Sequence, residues 1–297
     1  MNAWLEQLRA RFHAGGRLHW TMGPAGPEAH LQAPAAEGRL TLQGGQLLHW
    51  RPRGADPVLW LSPQARLAPG AAIRGGVPVC WPWFGPHPDR ADFPAHGFAR
   101  TARWEPVAAV PEGEGVRLTL ALVRDAAGYR LFPQRARLTL ELRLGEILEM
   151  ALVTRNEDCR PFTLSQALHA YFRVGDVERI RIHGLANHAY LDKTRGLRRL
   201  RQHGPVRLEG ETDRVYLDAT GPVIIEDPDR ERAIRVEKGG SATTVVWNPG
   251  AVKGRAMGDV GEAWREFVCV EVANALPDAR ALPPGAVHRL IMRCSVP

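Results

Sequence analysis

Apolar and polar residues alternate with a period of two over most of the chain, which predicts β-strands. The segment RLTLQGGQLLHW predicts two strands about a Gly44–Gly45 turn, and RARLTLELRLGEILEMALVTRNE predicts a long hairpin that turns near Gly145. The same alternation recurs in VLWLS, VRLTLALV, RIRIHGL, GPVIIED, AIRVEK, ATTVVWN, REFVCVEVA and VHRLIMRC. The pattern therefore predicts an all-β protein of many short strands.

Only the N-terminus follows a helical spacing. A short helix over residues 3–12, with Asn2 as its cap, would bring these apolar side chains to one side: Trp4, Leu5, Leu8 and Phe12. No repeat of fixed period and no Gly/Ser-rich or charged linker divides the rest of the chain. We therefore expect a single β-sandwich domain over residues 1–297, with the helix and its lead-in at residues 1–16.

The net charge of +7 does not by itself indicate a nucleic-acid partner. The basic residues are nearly all arginine and are interleaved with acids, without a dense block or a nucleic-acid motif. The chain has no run of about eighteen apolar residues that could span a membrane, and its first residues lack the apolar region of a signal peptide. We expect a cytoplasmic monomer with neither a nucleic acid nor a membrane as partner.

Motifs of metal and nucleotide chemistry are missing from the sequence. It contains no HExxH, no P-loop, no GxGxxG after a strand and no GxSxG, so zinc hydrolysis, ATP use and hydride transfer lose support. The cysteines form no CxxC pair and are widely separated: Cys80, Cys159, Cys269 and Cys294. Three of them have apolar neighbours and are predicted to be small buried side chains rather than zinc ligands or disulfides.

Residues 73–100, IRGGVPVCWPWFGPHPDRADFPAHGFAR, follow neither the helical nor the strand period. Prolines remove backbone donors and glycines release the backbone, so a long ordered loop is expected. The loop carries Arg74, His87, His96 and Arg100 among aromatic side chains. Such a loop suits the binding of a small polar or anionic ligand.

His169 is the first candidate for chemistry. If FTLSQALHAYFRV is a strand, its apolar face holds Phe162, Leu164, Leu168 and Phe172, and the opposite face holds Ser165, Ala167, His169 and Tyr171. A histidine among small and polar neighbours is typical of a strand that lines a cleft. A histidine on a solvated sheet face is the alternative.

Glu271 is the second candidate, because REFVCVEVANA is apolar on both faces apart from this carboxylate. Burying an unpaired carboxylate costs roughly several kcal/mol and raises its pKa. A functional role is therefore expected, with a buried Glu–Arg pair as the alternative. Asp213, at the entrance to a strand in GETDRVYLD, is a third candidate, and Trp247–Asn248 lies at a strand end. For both of these, local turn chemistry is the alternative.

These residues fall within a recognisable pattern. The run IRGGVPVCWPWFGP followed by HGFAR resembles the glucose-6-phosphate 1-epimerases, the hexose-6-phosphate mutarotases of the aldose-1-epimerase-like superfamily. The segments SQALHAYF, GETDRVY, VVWNP and FVCVE resemble the same family and follow in its order, over roughly residues 58 to 275. FVCVEVANA departs from the family only after its glutamate, where a small residue or proline and then a glycine are usual.

The resemblance implies a galactose-mutarotase-like β-supersandwich that interconverts the α and β anomers of a D-hexose 6-phosphate without a metal or organic cofactor. It implies that His169 is the catalytic acid and Glu271 the catalytic base. Arg74 and Arg100 would contact the phosphate and sugar, and His96 and Asp213 would line the site. In this reading Gly75–Gly76 lets backbone N–H groups approach the phosphate. The aromatic loop residues would either wall the sugar or pack the loop's own core: Trp81, Trp83 and Phe84.

The residue types fit this chemistry, since ring opening removes a proton from the anomeric hydroxyl and delivers one to the ring oxygen. An ionised Glu can do the first, and a protonated His, with a reference pKa of about 6.5, can do the second. Two alternatives stay open. One is a non-catalytic module that binds carbohydrate or phosphosugar. The other is a sandwich-fold glycoside hydrolase or lyase with Asp213 as a second carboxylate.

Overall fold

The alternating segments form strands in the structure, a computed structural model that describes residues 3–297. The cap expected at Asn2 lies outside the described residues. The strands are β1 Leu18–Gly23, β2 Gly26–Ala33, β3 Ala36–Thr41, β4 Gln46–Pro52, β5 Val79–Cys80, β6 Trp104–Glu112, β7 Gly115–Leu122, β8 Ala136–Leu144, β9 Leu148–Asn156, β10 Phe162–Leu164, β11 Gln166–Leu168, β12 Tyr171–Arg173, β13 Arg181–His183, β14 Ala189–Asp192, β15 Arg198–Arg201, β16 Thr212–Tyr216, β17 Val223–Asp227, β18 Arg232–Gly239, β19 Thr243–Asn248, β20 Phe267–Asn274, β21 Arg280–Leu282 and β22 Val287–Ser295.

Helical segments are short and few. The α-helices are α1 Ala3–Arg11, α2 Ala126–Leu131 and α3 Gly250–Ala256, and the 3₁₀ turns are Ala14–Gly16, Ala99–Thr101, Lys193–Arg195, Pro228–Arg230, Gly261–Glu266 and Leu276–Asp278. The predicted N-terminal helix is present, and its Leu5 and Leu8 are buried. No helix within residues 3–297 is long and apolar enough to cross a membrane. The prediction of an all-β fold with a short N-terminal helix is confirmed.

Two eight-stranded sheets form most of the molecule. The back sheet has the strand order β13-β17-β18-β22-β9-β8-β7-β6. The front sheet has the order β15-β14-β16-β19-β20-β11-β5, and β12 also pairs with β20. A four-stranded sheet, β1-β2-β3-β4, and the pair β10-β21 complete the fold. Both predicted hairpins are confirmed, with β3–β4 about Gly44–Gly45 and β8–β9 about Gly145. The segment VLWLS pairs only through isolated bridges at Leu59 and Leu61.

The main core lies between the sheets because alternate residues of each strand point inward. Every second residue of β8 is buried, from Leu138 to Leu144. The inward face of β20 contributes Val268, Val270 and Val272, and all of these belong to one apolar cluster. Each such side chain contributes about 1.5–3 kcal/mol when it is fully buried. Because this cluster includes residues from near both ends of the described chain, we propose that the chain folds as one domain.

The outward face of the front sheet is also buried, and it bears a second set of small apolar residues. This face is called the floor, and its apolar members are Cys80, Ala167, Val215, Val245 and Ala273. The register brings them side by side, since Ala167 pairs with Cys80 on β5 and with Ala273 on β20. Phe84, from the loop 73–100, packs against this cluster. Small side chains on the floor leave room above the sheet for other groups.

The loop 73–100 is held by its own buried tryptophans and by the two-residue strand β5, which pairs with β11. Trp81 and Trp83 are 0% and 5% exposed and join the main core. The Trp81 indole donates to Thr154 Oγ1 (3.1 Å), and that of Trp83 donates to the Pro94 carbonyl (2.9 Å). Packing of the loop's core is therefore the correct interpretation of both tryptophans, and Phe84 alone of the three aromatic residues faces the floor.

Glycine is needed at positions 75 and 76 for close backbone packing, whereas the expected reason was the approach of N–H groups to a phosphate. A Cβ on Gly75 would lie 2.5 Å from the Trp60 carbonyl oxygen, and one on Gly76 would lie 2.2 Å from that of Leu47. Both residues have positive φ, and the Gly76 N–H already donates to the Trp60 carbonyl at 2.7 Å. The glycines let the loop pass close to neighbouring chain. The Gly76 N–H is therefore not available to a phosphate.

Candidate active site

His169 lies between two short strands, not within one long strand as predicted. The segment is divided into β10, β11 and β12, and the His169 N–H donates to the Pro78 carbonyl (3.0 Å). The strand register is nevertheless kept, since Leu168 pairs with Val272 and Tyr171 with Cys269. His169 consequently lies opposite Glu271 on the floor side. Its side chain is only 10% exposed, so it does not lie on a solvated face.

His169 and Glu271 contact each other directly. His169 Nε2 lies 3.3 Å from Glu271 Oε1, and the Glu271 side chain is 2% exposed. The other heteroatoms of the pair, His169 Nδ1 and Glu271 Oε2, are buried without a hydrogen-bond partner among the described residues. Glu271 thus pairs with a histidine, not with the arginine that was its structural alternative. Two unfilled hydrogen-bonding atoms mark a place where a polar ligand can be bound.

Burial favours the neutral form of both members of this pair. It raises the pKa of Glu271 well above its ordinary value, and the nearby Asp213 carboxylate adds to the rise. It lowers the pKa of His169 well below its ordinary value, and the positive charges of Arg100 and Arg74 contribute. Burial therefore opposes the ionised Glu271 and the protonated His169 that the sequence led us to expect.

Aromatic rings fix the orientation of His169. The Tyr171 ring stacks on the imidazole with centroids 4.9 Å apart and an interplanar angle of 12°. Trp247 contacts it edge-on at 6.0 Å. The neighbouring Asn248 has a purely structural role, since its amide donates to the carbonyls of Trp264 and Phe267. Its Oδ1 accepts from the Gly250 N–H (2.8 Å), which is the local turn contact, whereas Trp247 lies against His169.

Arg74 lies beside Tyr171, and two of its N–H donors already have hydrogen-bond partners. Its Nη1 donates to the Tyr171 hydroxyl (3.0 Å), and its Nε donates to Asp259 Oδ2 (2.9 Å). A guanidinium has five N–H donors, so these two contacts leave others for a ligand. The Arg74 side chain is 26% exposed. The structure therefore places this arginine at the edge of the site with its position fixed from two sides.

His96 and Arg100 approach the site from the loop. His96 has a positive φ of 66°, and its ring centroid lies 5.8 Å from that of His169. Its Nδ1 accepts from the Gly85 N–H (3.3 Å), which assigns the hydrogen of the neutral ring to Nε2. Burial lowers the pKa of His96 to about 3, helped by the positive charges of Arg100, Lys193 and Arg74. His96 is thus a neutral hydrogen-bond donor among cations.

Asp213 is held by a residue that the sequence did not suggest. Its Oδ2 lies 2.9 Å from Lys193 Nζ, while its Oδ1 is buried without a partner among the described residues. Burial raises the pKa of Asp213, and the Lys193 charge opposes the rise. Arg74, Arg100 and Lys193 form what we call the rim of the site, in contrast to the floor beneath. Within residues 3–297 no group of three or more His, Cys, Asp or Glu is arranged to hold a metal ion.

Comparison with known proteins decides the family. The sequence model described as aldose 1-epimerase matches residues 29–295 of the chain. The protein belongs to the aldose 1-epimerase family. It is 37% identical over 257 residues, or 86% of this chain and 85% of the other, to an Escherichia coli protein named "Putative glucose-6-phosphate 1-epimerase". As a member of this family it is an isomerase of the epimerase type.

Solved structures extend the likeness to the whole fold. A crystal structure described as that of a "putative mutarotase" from Salmonella typhimurium superimposes with a TM-score of 0.89 at 30% identity, covering 99% of both chains. A galactose mutarotase related enzyme from Lactobacillus acidophilus has a TM-score of 0.73 at 12% identity, covering 91% of this chain and 97% of the other. The predicted galactose-mutarotase-like sandwich is thereby confirmed.

The aldose 1-epimerase fold brings all the predicted residues to one region, around the floor: Arg74, His96, Arg100, His169, Asp213 and Glu271. Three further residues at the site were not predicted from the sequence. Tyr171 shares the strand parity of His169, which was an available signal. Lys193 is one of only three lysines in a chain with 39 Lys and Arg, an imbalance that could have drawn notice. Asp259 lies in a loop and gave no signal.

Proposed function

We propose that this protein interconverts the α and β anomers of a hexose 6-phosphate, glucose 6-phosphate first among them, by acid–base opening and closing of the sugar ring. His169 and Glu271 carry the proton transfers, without a metal or organic cofactor. Arg74, Arg100 and His96 bind the phosphate and sugar. The protein would act on a small-molecule substrate as a cytoplasmic monomer.

The reaction requires two proton transfers at atoms bonded to the same carbon. Glu271 removes the proton of the anomeric hydroxyl as the C1–O1 double bond forms. The C1–O5 bond breaks with its electron pair going to the ring oxygen, which takes a proton from His169. Rotation about C1–C2 presents the other face of the aldehyde, and the two groups then act in reverse. Because both oxygens are bonded to C1, the acid and the base must lie close together, as His169 and Glu271 do.

The pair carries one proton throughout this cycle. Before ring opening the proton is on His169 and Glu271 is ionised; afterwards Glu271 is protonated and His169 is neutral. Burial lowers the pKa of His169 and raises that of Glu271, so it favours the second distribution, which is the form that closes the open-chain sugar. Hydrogen bonds between the bound hemiacetal and the two unpaired atoms, His169 Nδ1 and Glu271 Oε2, would lower the free energy of the state in which His169 is protonated and Glu271 is ionised. Neither state changes the net charge of the buried pair.

The observation that carries the proposal is the 3.3 Å contact between His169 Nε2 and Glu271 Oε1. A module that only binds sugar has no need of a buried acid–base pair. A hydrolase would need Asp213 as its second carboxylate, and that group is paired with Lys193. Family membership and the phosphosugar named for the Escherichia coli relative support the same choice.

Exchange spectroscopy by NMR tests the proposal. Purified protein added to equilibrated glucose 6-phosphate should produce α/β exchange cross-peaks whose rate rises in proportion to protein concentration. Glucose at the same concentration should exchange more slowly, because it lacks the group that the rim binds. Absence of accelerated exchange with any hexose 6-phosphate would contradict the proposed function, and equal rates for both sugars would contradict the phosphate preference.

A further inference from the structure

Lys193 stands at the edge of the site without a role in the acid–base chemistry. Its backbone is fixed at the end of β14, where the Asp192 carboxylate accepts from the Thr194 N–H (3.0 Å) and hydroxyl (2.6 Å). The Lys193 side chain is 30% exposed and that of Asp213 is 16% exposed. A flexible four-carbon stem on a rigid base therefore carries an ammonium group that solvent, and hence a ligand, can reach.

Asp213 directs this ammonium group inward. The 2.9 Å contact between Lys193 Nζ and Asp213 Oδ2 involves one of the three N–H donors of the lysine, so two others remain. The ammonium also lies 5.9 Å from the centroid of the Phe84 ring. Phe84 in turn contacts His96 edge-on, with centroids 5.0 Å apart. Lys193 thus reaches, from the front sheet, the same region that the loop 73–100 reaches with Phe84 and His96.

The electrostatics agree with this placement. Arg100, Lys193 and Arg74 all act on His96 to lower its pKa. Lys193 also acts on Glu271, where its positive charge opposes the rise in pKa. Asp259 and Asp213 each pair with one of these three cations, so the cluster keeps an excess of positive charge that favours a bound anion.

We propose that Lys193 is a specificity-determining residue, which donates to the anionic group of the substrate beside His96 and Arg100. The inference rests on the proposed function, since it takes that anionic group to be the 6-phosphate. Arg74 has two of its five donors on Tyr171 and Asp259, so a third cation adds donors for the recognition of a doubly charged phosphate. Asp213 then has two tasks: one oxygen aims Lys193 and the other is free to accept from a sugar hydroxyl.

Binding of a substrate analogue that cannot react separates this inference from the activity. The ligands are 1,5-anhydroglucitol 6-phosphate and 1,5-anhydroglucitol, which lack the anomeric hydroxyl and so cannot open their rings. Isothermal titration calorimetry gives the ratio of their affinities for each protein. Lys193→Met should reduce the preference for the phosphorylated ligand about 10- to 100-fold, the range of one charge-assisted hydrogen bond. Lys193→Arg should retain most of it.

The matched control is Lys253→Met, which removes a lysine in an exposed ion pair with Glu211. It should leave both affinities unchanged. An unaltered preference in Lys193→Met would overturn the inference, and so would an equal weakening of both ligands, which would mean that Lys193 merely supports Asp213. If Lys193→Met fails to fold, as judged by circular dichroism, Lys193→Gln takes its place. A wild-type protein without any preference would instead contradict the phosphate part of the proposed function.

Discussion

The floor and the rim of the site are built in different ways. The floor carries His169 and Glu271 opposite each other in the register of the front sheet, and both side chains are almost fully buried. The rim carries Arg74, Arg100 and Lys193 on loops and turns, and its side chains remain partly exposed. Proton transfer requires fixed distances, which a hydrogen-bonded sheet supplies. Recognition of a phosphate requires charge within reach, which partly exposed cationic side chains supply.

The largest expected effect of a substitution is on turnover, at the floor. His169→Asn should lower kcat about 10²- to 10⁴-fold, because it removes the group that we propose protonates the ring oxygen. Polarimetry of α-glucose 6-phosphate gives the rate. The control is His183→Asn, which removes a histidine from an exposed His–Glu pair on the back sheet (2.7 Å) and should have wild-type activity. Near-normal turnover in His169→Asn would remove that residue from the mechanism.

A rim substitution should act mainly on binding. Arg100→Met should raise the KM for glucose 6-phosphate about tenfold or more and change that for glucose little, since we propose that the lost donor binds the phosphate. Arg90→Met is the matched control, because Arg90 lies in the same loop but is exposed and paired with Asp92. A large fall in kcat for both sugars would show that rim and floor are not separate in function.

The two faces of β20 should respond oppositely in stability. Val270→Ala removes core packing and should lower the free energy of unfolding by about 2 kcal/mol. Glu271→Gln removes a buried carboxyl group with an unpartnered oxygen and should leave the free energy of unfolding unchanged or raise it by about 1 kcal/mol. Urea denaturation measures both. A Gln variant less stable than the Val270→Ala protein would mean that Glu271 is structural.

The smallest expected effect is a shift of the acid limb of the kcat/KM profile to lower pH. The active pair holds one proton, and activity is lost when it gains a second or loses the only one. Because the pKa of His169 is lowered and that of Glu271 is raised, the acid limb of kcat/KM should lie below about 6.5, the ordinary value for histidine, and the plateau should be broad. Glucose as substrate excludes the titration of the phosphate itself. An acid limb at or above the ordinary value would contradict the burial argument.

Strand periodicity predicted the part of the floor that depends on which side of its strand a residue lies. The side on which His169 and Glu271 lie follows from alternation, and this survived even though the strand around His169 is interrupted. What periodicity could not provide was the surroundings, such as the burial of Trp81 and Trp83. Those depend on how the loop 73–100 packs against distant strands.

The rim was predicted only in part, and mainly through the family resemblance. Two of its contacts join residues far apart in sequence, Arg74 with Asp259 and Lys193 with Asp213. No local pattern of charge reveals such pairs, because each residue alone resembles an ordinary surface side chain. The need for glycine at position 76 could not be predicted locally either, because the group that leaves no room for a Cβ there is the carbonyl of Leu47 on β4.

The central claim is that the buried pair on the floor interconverts the anomers while the rim only binds. Exchange spectroscopy on saturating glucose 6-phosphate, with wild-type protein and Glu271→Gln compared at equal concentration, tests it most directly. The account predicts strong α/β exchange with the wild type and none above the uncatalysed rate with the variant, which still binds the phosphosugar. Exchange by Glu271→Gln at the wild-type rate would contradict it.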